Sequence, residues 1–229
     1  MPLDSFLSEP YQRHNKRRQE HLASLGLPIA GRSVLEIGAG IGDHTGFFVD
    51  RGCRVTSTDG RAECVQTLTE RFPGLRAVAY DANGPAPADI PPHEIVYAYG
   101  LLYHLREPAQ ALATMATLCS DMLLLETCVS GGREAVLPLV DEAIEDPTQA
   151  LDGVGCRPTR AWIWQQLTSL FPHVYATATQ PWHEQFPIDW TAPNLGEDGL
   201  IRAIFVASRR PIDNPLLVSS LPDRQVRGG

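Results

Sequence analysis

The stretch Val34-Leu35-Glu36-Ile37-Gly38-Ala39-Gly40-Ile41-Gly42 constrains this chain more than any other. An apolar run of strand length leads directly into three alternating glycines and then into a helical pattern. Glycine lets the main chain turn sharply and approach a ligand closely, and the following helix presents free N–H groups. Asp59 closes the next β-branched run, Val55-Thr56-Ser57-Thr58, where its carboxylate can accept hydrogen bonds from two ribose hydroxyls. Together these features predict a crevice for a nucleoside.

The detail of the turn narrows the ligand. A dinucleotide fingerprint places its third glycine where this chain has Asp43, and it aims a helix N-terminus at a pyrophosphate. Here Glu36 and Asp43 flank the turn and would repel that group. A ligand bearing positive charge suits them better.

Around the turn, short β-branched runs alternate with helix-period segments. Strands are expected over 33–37, 54–58, 76–80, 94–99 and 122–127, with helices over 42–51, 62–72 and 108–119. Such alternation predicts βαβ units in a mostly parallel sheet covered by helices on both faces. A helix over 159–170 and strands over 173–179 and 200–207 complete it. Residues 1–30 read as an N-terminal helical lid, and 31–208 as the main domain. An acidic insertion is expected at about 128–157, and 209–229, rich in Pro, Asp, Ser and Gly, is expected to be a loosely ordered tail. The aromatic stretch 180–199, with Trp182, His183, Phe186 and Trp190, is a candidate wall for an acceptor.

On these residues the chain resembles the class I S-adenosylmethionine-dependent methyltransferases, through their E-x-G-x-G-x-G motif at Glu36 to Gly42. The likeness runs from about residue 31 to residue 127. Tyr80-Asp81-Ala82 is similar to the family's acidic motif after the third strand. The run from Ile95 to Leu105 is similar to its fourth motif, ending in the Leu-Tyr-His-Leu form of many small-molecule methyltransferases and of the tRNA wobble-uridine carboxymethyltransferase branch.

The resemblance implies an α/β fold with a seven-stranded, mostly parallel sheet, and S-adenosyl-L-methionine as cofactor. It implies that Gly38, Ala39, Gly40 and Gly42 let the backbone approach the cofactor, with Glu36 at its amino end and Tyr99 and Gly100 as further cofactor contacts. Asp59 would lie at the ribose, Asp81 and Ala82 at the adenine, and Gly60 would be a further cofactor contact.

Methyl transfer is an in-line displacement that mainly demands placement, with a base needed when the acceptor is a hydroxyl. His104, just past the fourth strand, is the leading base; Tyr103 and Glu126 are further catalytic candidates. Tyr11 and Arg13 of the N-terminal segment would fold over the cofactor, Arg13 pairing with its carboxylate. No acidic cluster follows the fourth strand at Tyr99-Gly100-Leu101, so no catalytic metal is expected.

The expected partner is a small-molecule acceptor, methylated at oxygen. Four basic side chains between Tyr11 and Arg18 keep tRNA as the alternative acceptor, against which the net charge of −8 weighs. A cofactor-binding partner protein without catalysis and a nicotinamide oxidoreductase are further alternatives. The apolar runs fall far short of the roughly 20 residues that span a bilayer. The first ten residues lack a signal-peptide pattern, so a cytoplasmic enzyme is expected. Five cysteines without a C-x-x-C pair predict reduced thiols.

Overall fold

The structure, a computed structural model, describes residues 3–197 and 199–228. A short 3₁₀ turn, Asp4–Leu7, precedes helix α1 (Glu9–Ser24). Then follow β1 (Ser33–Ile37), α2 (Thr45–Val49), β2 (Arg54–Asp59), α3 (Ala62–Arg71), β3 (Arg76–Ala79), β4 (His93–Tyr99), α4 (Pro108–Leu118) and β5 (Cys119–Val129). The hairpin strands β6 (Leu139–Asp141) and β7 (Val154–Cys156) fall within the expected insertion. The chain continues through α5 (Arg160–Leu170), β8 (His173–Thr177), β9 (Thr179–Gln180), β10 (Ile201–Ser208), β11 (Leu217–Val218) and β12 (Val226–Arg227).

The main sheet runs β11-β8-β10-β5-β4-β1-β2-β3. Strands β3, β2, β1, β4 and β5 are parallel, and β10 lies antiparallel between β5 and β8. The chain leaves β1 toward β2 and β3, then returns to the other side of β1 as β4. That reversal opens a crevice at the carboxyl ends of β1 and β4, where ligands of open α/β sheets bind.

Period-two alternation distributes the strand residues between two cores. Leu35, Ile37, Val96, Ala98, Leu123, Leu125 and Phe205 pack under α4 and α5. Val34, Ile95, Tyr97, Met122, Leu124 and Val206 pack with Leu22 of α1 and Phe47 and Phe48 of α2. The central strands are therefore buried on both faces, which explains why they read as continuous apolar runs.

Three expectations are corrected. The sheet has eight strands and is mixed, not seven: β11 pairs antiparallel with β8. It comes from the Pro-rich stretch expected as a loose tail. Asn214 ties that stretch to α1 by donating to the Leu25 carbonyl (2.7 Å), and buried Gln225 links Trp190, Gln180 and the Thr177 carbonyl. Polar residues here order the chain by hydrogen bonding, which composition does not reveal. The helix expected over 42–51 is only Thr45–Val49, because Gly42 sits at φ +86°, outside helical space. Among the described residues no helix is long and apolar enough to cross a membrane.

Gln225→Ala should leave three polar partners unmatched, two of them buried and Trp190 half-buried. We expect a loss of about 1–3 kcal/mol and a melting temperature lower by roughly 2–4 °C per kcal/mol, read by calorimetry.

Candidate active site

The glycine turn is held from three sides. The Gly38 and Ala39 amides both donate to the Thr58 carbonyl (2.9 Å each), which straps the turn to the end of β2. Gly38 and Gly40 adopt φ of +74° and +56°. A Cβ at Gly38 would stand 2.9 Å from the Leu101 side chain, one at Gly40 2.9 Å from the Phe6 ring, and one at Gly42 2.7 Å from Leu68. Left-handed backbone and close packing thus demand glycine at the same positions.

Asp59 locks the turn and faces the cavity. Its Oδ2 accepts from the Gly40 amide (2.8 Å) and its Oδ1 from the Arg61 amide (2.9 Å). Each oxygen keeps a lone pair for a further donor. Burial raises its pKa, opposed by these two hydrogen bonds.

Glu36 sits beneath the turn, almost fully buried, away from the main cavity wall. Its Oε2 accepts from Thr45 Oγ1 (2.6 Å) and Ser57 Oγ (2.8 Å). Burial pushes its carboxyl up to about 7 against the pull of those hydroxyls, with Asp43 and Asp59 adding to the rise.

Beside the turn lies a cavity of about 580 Å³, within the range of small-ligand sites. The structure brings to its wall most of the residues singled out from the sequence: Gly38, Gly40, Asp59, Gly60, Asp81, Ala82, Tyr99, Gly100, Tyr103, His104, Tyr11 and Arg13. Glu36 and Ala39 line only a small annex between the turn and Tyr97. Gly42 packs against α3.

Asp81 and Ala82 follow β3, whose last residue, Ala79, pairs with Asp59 of β2, and both line the cavity with it. One face of α1 supplies Tyr11, His14 and Arg18. Arg13 pairs with Glu184 where both are exposed, a contact of small energetic weight.

Glu126 occupies a different place from that of a group reaching substrate. It is wholly buried, and both its oxygens are taken. Arg18 Nη1 donates to Oε2 (2.8 Å) and Arg202 Nη1 to Oε1 (3.0 Å). The two guanidiniums hold its carboxyl below the usual range despite burial. Arg202 also reaches Gln185 (2.9 Å) and the Tyr103 hydroxyl (3.1 Å), so Tyr103 accepts a charged donor and its own pKa rises with burial.

The sequence reading missed Arg18, Arg202, His14, Arg61 and Glu142. The spacing Tyr11, His14, Arg18 was the available signal for α1, since these positions share one helical face. Nothing local marks the others.

His104 lies in the 3₁₀ turn Leu102–His104 after β4. Its Nδ1 is 2.5 Å from Glu142 Oε2 on the inserted hairpin. Burial lowers its pKa, and Glu142 opposes that shift.

The aromatic stretch after β9 contributes polar groups to the cavity: His183, Glu184 and Gln185. Its aromatic rings point elsewhere. Phe186 is fully buried in the α1 core, Trp190 carries the Arg160 guanidinium over its ring, and Trp182 is exposed. His14 Nε2, Arg18 Nε and the Tyr99 hydroxyl are buried at the cavity without a hydrogen-bond partner among the described residues. These are positions where a bound ligand would complete the polar pairing.

No family model matches the chain, and no curated protein does. Solved structures do. The N-terminal domain of EvdMO1 with S-adenosylhomocysteine bound aligns at TM-score 0.61 and 19% identity, over 92% of this chain and 82% of that one. The 1,6-didemethyltoxoflavin-N1-methyltransferase of Burkholderia thailandensis, with its substrate and S-adenosylhomocysteine, aligns at 0.56 and 20%, over 90% and 80%. The magnesium protoporphyrin IX methyltransferase of Synechocystis PCC 6803, with S-adenosylmethionine bound, aligns at 0.54 and 15%, over 87% and 80%.

Two variants test what the buried carboxylates contribute to the fold. Ionised Glu36 at a pKa of about 7 against an ordinary 4.5 costs the fold about 3 kcal/mol at most. A raised folded pKa stabilises fully below the unfolded value and loses that contribution as pH rises through the folded one. Glu36→Gln should therefore gain melting temperature over the parent progressively from pH 5 to pH 8; a constant difference would remove the buried charge from the account. Glu126→Gln should cost about 3–5 kcal/mol at neutral pH, read by denaturant unfolding, because two buried guanidiniums lose their shared counter-charge. At this similarity the shared feature is architectural: the chain carries the fold of class I S-adenosylmethionine-dependent methyltransferases.

Proposed function

We propose that this protein is a methyltransferase that uses S-adenosyl-L-methionine to methylate a small polar acceptor, most directly at a hydroxyl oxygen. The observation that carries the reading is the glycine turn locked to Asp59 at the open end of β1 and β2, beside a cavity with unpartnered buried polar atoms. The residues present fit the cofactor's chemistry. Asp59 would hold the ribose diol, and Asp81 and Ala82 would meet the adenine edge. Tyr99, Gly100 and Arg18 would serve the amino-acid end, Arg18 matching its carboxylate. When bound, the sulfonium supplies an electrophilic methyl group.

The chain's own residues do the rest. The Nε2 of His104 takes the acceptor's proton as the new C–O bond forms and the C–S bond breaks. Tyr103, fixed by Arg202, forms the adjoining wall. Helix α1 closes the cavity from above as a lid, presenting Tyr11 and His14 inward. A wall of His14, Gln185, Arg157 and Arg202 favours a hydrogen-bonding acceptor over a flat aromatic one.

The fate of the basic segment supports a small molecule over tRNA. Arg13, Arg17 and Arg18 pair with Glu184, Glu20 and Glu126, leaving Lys16 as the basic side chain of that segment open to a phosphate backbone.

The test is calorimetry with S-adenosylhomocysteine and NAD side by side, followed by a labelled-methyl panel of sugars, phenols and tRNA. Binding of the former alone is expected. Asp59→Asn should weaken it by roughly tenfold or more, and His104→Gln should lower turnover by about 10²–10⁴ with cofactor affinity unchanged. Preference for NAD would overturn the reading. Cofactor binding with no transfer, and no effect of His104→Gln, would favour a non-catalytic binding protein.

A further inference from the structure

The insertion between β5 and α5 does more than cover the crevice. Strand β7 lies against the turn Leu102–His104 through a set of direct contacts. Cys156 Sγ donates to the Leu102 carbonyl (3.3 Å) and Arg157 Nη1 to the Tyr103 carbonyl (3.2 Å). Gly155 makes this approach possible: a Cβ there would stand 2.5 Å from the Tyr103 carbonyl and 2.8 Å from the Glu142 carboxyl.

Glu142 follows β6, and its side chain is 2% exposed. Oε2 faces His104 Nδ1 at 2.5 Å and accepts from the Ala150 amide (2.8 Å), while Oε1 accepts from Arg157 Nη2 (3.0 Å). The loop that follows is pinned by Arg61. That guanidinium donates to the carbonyls of Pro147 (3.0 Å), Gln149 (2.9 Å) and Asp146 (3.3 Å), and the Arg61 amide holds Asp59. One inserted segment thus spans from the expected ribose carboxylate to the expected base.

We propose that Glu142 is the positioning residue for His104, holding the imidazole with its proton on Nδ1 so that Nε2 is the lone pair presented to the acceptor. The proposal rests on the methyltransferase reading for its purpose and on hydrogen-bond chemistry for its content. An ionised carboxylate only accepts, so the nitrogen facing it must donate. A neutral imidazole has one N–H, and placing it on Nδ1 leaves Nε2 as the acceptor; Nε2 has no hydrogen-bond partner among the described residues. A carboxylate in this role fixes the tautomer and stabilises the imidazolium formed as the acceptor's proton arrives, as in other carboxylate–histidine pairs. Proton accounting closes: the acceptor O–H proton moves to Nε2, the methyl group to oxygen, and the imidazolium returns its proton to solvent.

Four groups face the ring: Glu142 from the insertion, Arg157 after β7, Arg202 from β10, and the Tyr103 ring with its centroid 3.8 Å away. Of these only Glu142 favours the protonated ring, while both arginines oppose it. Removing its charge should therefore shift the titration of His104 to lower pH.

The experiment is nuclear magnetic resonance of ring-¹⁵N histidine in the full chain, with and without saturating S-adenosylhomocysteine, the His104 signal being assigned from His104→Gln. The parent should show the Nδ1–H tautomer. Glu142→Ala should lose that preference, Glu142→Gln should titrate at lower pH than the parent, and Glu142→Asp should restore the parent pattern in part. Calorimetric affinity for S-adenosylhomocysteine should stay within about twofold, a ratio worth roughly 0.4 kcal/mol. Should a Glu142 variant fail to fold, Gly155→Ala displaces the carboxyl without removing it and should weaken the same tautomer preference. An Nε2–H tautomer in the parent, or an unchanged His104 signal in both Glu142→Ala and Glu142→Gln, overturns the proposal. Absence of S-adenosylhomocysteine binding by the parent counts against the cofactor reading instead, and the tautomer measured without it still decides the role of Glu142.

Discussion

A carboxylate at the centre of β5 organises the crevice. Glu126 is buried where an unpaired ion would cost several kcal/mol, and it is sustained by guanidiniums from two different elements, Arg18 of α1 and Arg202 of β10. The helix has few apolar residues of its own, with Tyr11 and Leu22 its largest. The ion pair joins buried Leu22 and the hydrogen bonds of Asn15 and Gln19 to Asp43 and of His21 to Thr179 in holding this polar helix on the sheet. His14 and Tyr11, one and two turns ahead of Arg18, lie on the same helical face and reach the cavity wall. One carboxylate between two guanidiniums also leaves a single positive charge in excess. Oxygens of Asn15, Gln185 and Tyr103 solvate it in part, and an anionic group in the cavity would complete the balance.

The charge pattern divides the cavity. Asp59 and Asp81 stand at the end formed by β2 and β3, while arginines and histidines crowd the end formed by α1, β10 and the insertion. Glu36, which the sequence placed at the ligand, lines the annex beside the turn, and its Oε2 accepts from Thr45 and Ser57, which braces β1 against β2 and α2. Burial pushes the Cys128 thiol up to about 11, which keeps it protonated and a poor nucleophile. Among the histidines that line the cavity, His104 has its Nδ1 against the buried carboxylate of Glu142.

What could be read from the sequence was local. The glycine turn, the acid closing β2 and the alternation of short strands and helices each express themselves within about twenty residues, so the crevice and most of the residues that line it beside β1 and β2 were legible. The eighth strand was not, because β11 is two residues long in a Pro- and Asp-rich context and is held by side-chain hydrogen bonds rather than by a hydrophobic pattern. The pairings of Arg18 with Glu126 and of His104 with Glu142 join residues 108 and 38 positions apart. A charge run is legible as a charge run, but its partner is fixed only when the strands assemble. The aromatic stretch misled for the same reason: Phe186 and Trp190 found partners in α1 and in Gln225, and their polar neighbours were left facing the cavity.

Two glycines outside the motif show how far the insertion belongs to the site. Neither Gly60 nor Gly155 adopts left-handed backbone, so turn geometry does not require glycine at either. Close approach does. A Cβ at Gly60 would stand 2.3 Å from Leu151 of the insertion, and one at Gly155 would strike the Tyr103 carbonyl. Each missing side chain admits the inserted segment against a different wall of the crevice, one beside Asp59 and one beside His104. An insertion that only shielded the crevice from water would need neither close contact. Packing at both ends, together with the three carbonyls held by Arg61, fixes the carboxyl of Glu142 within hydrogen-bonding distance of an imidazole that the sheet positions independently.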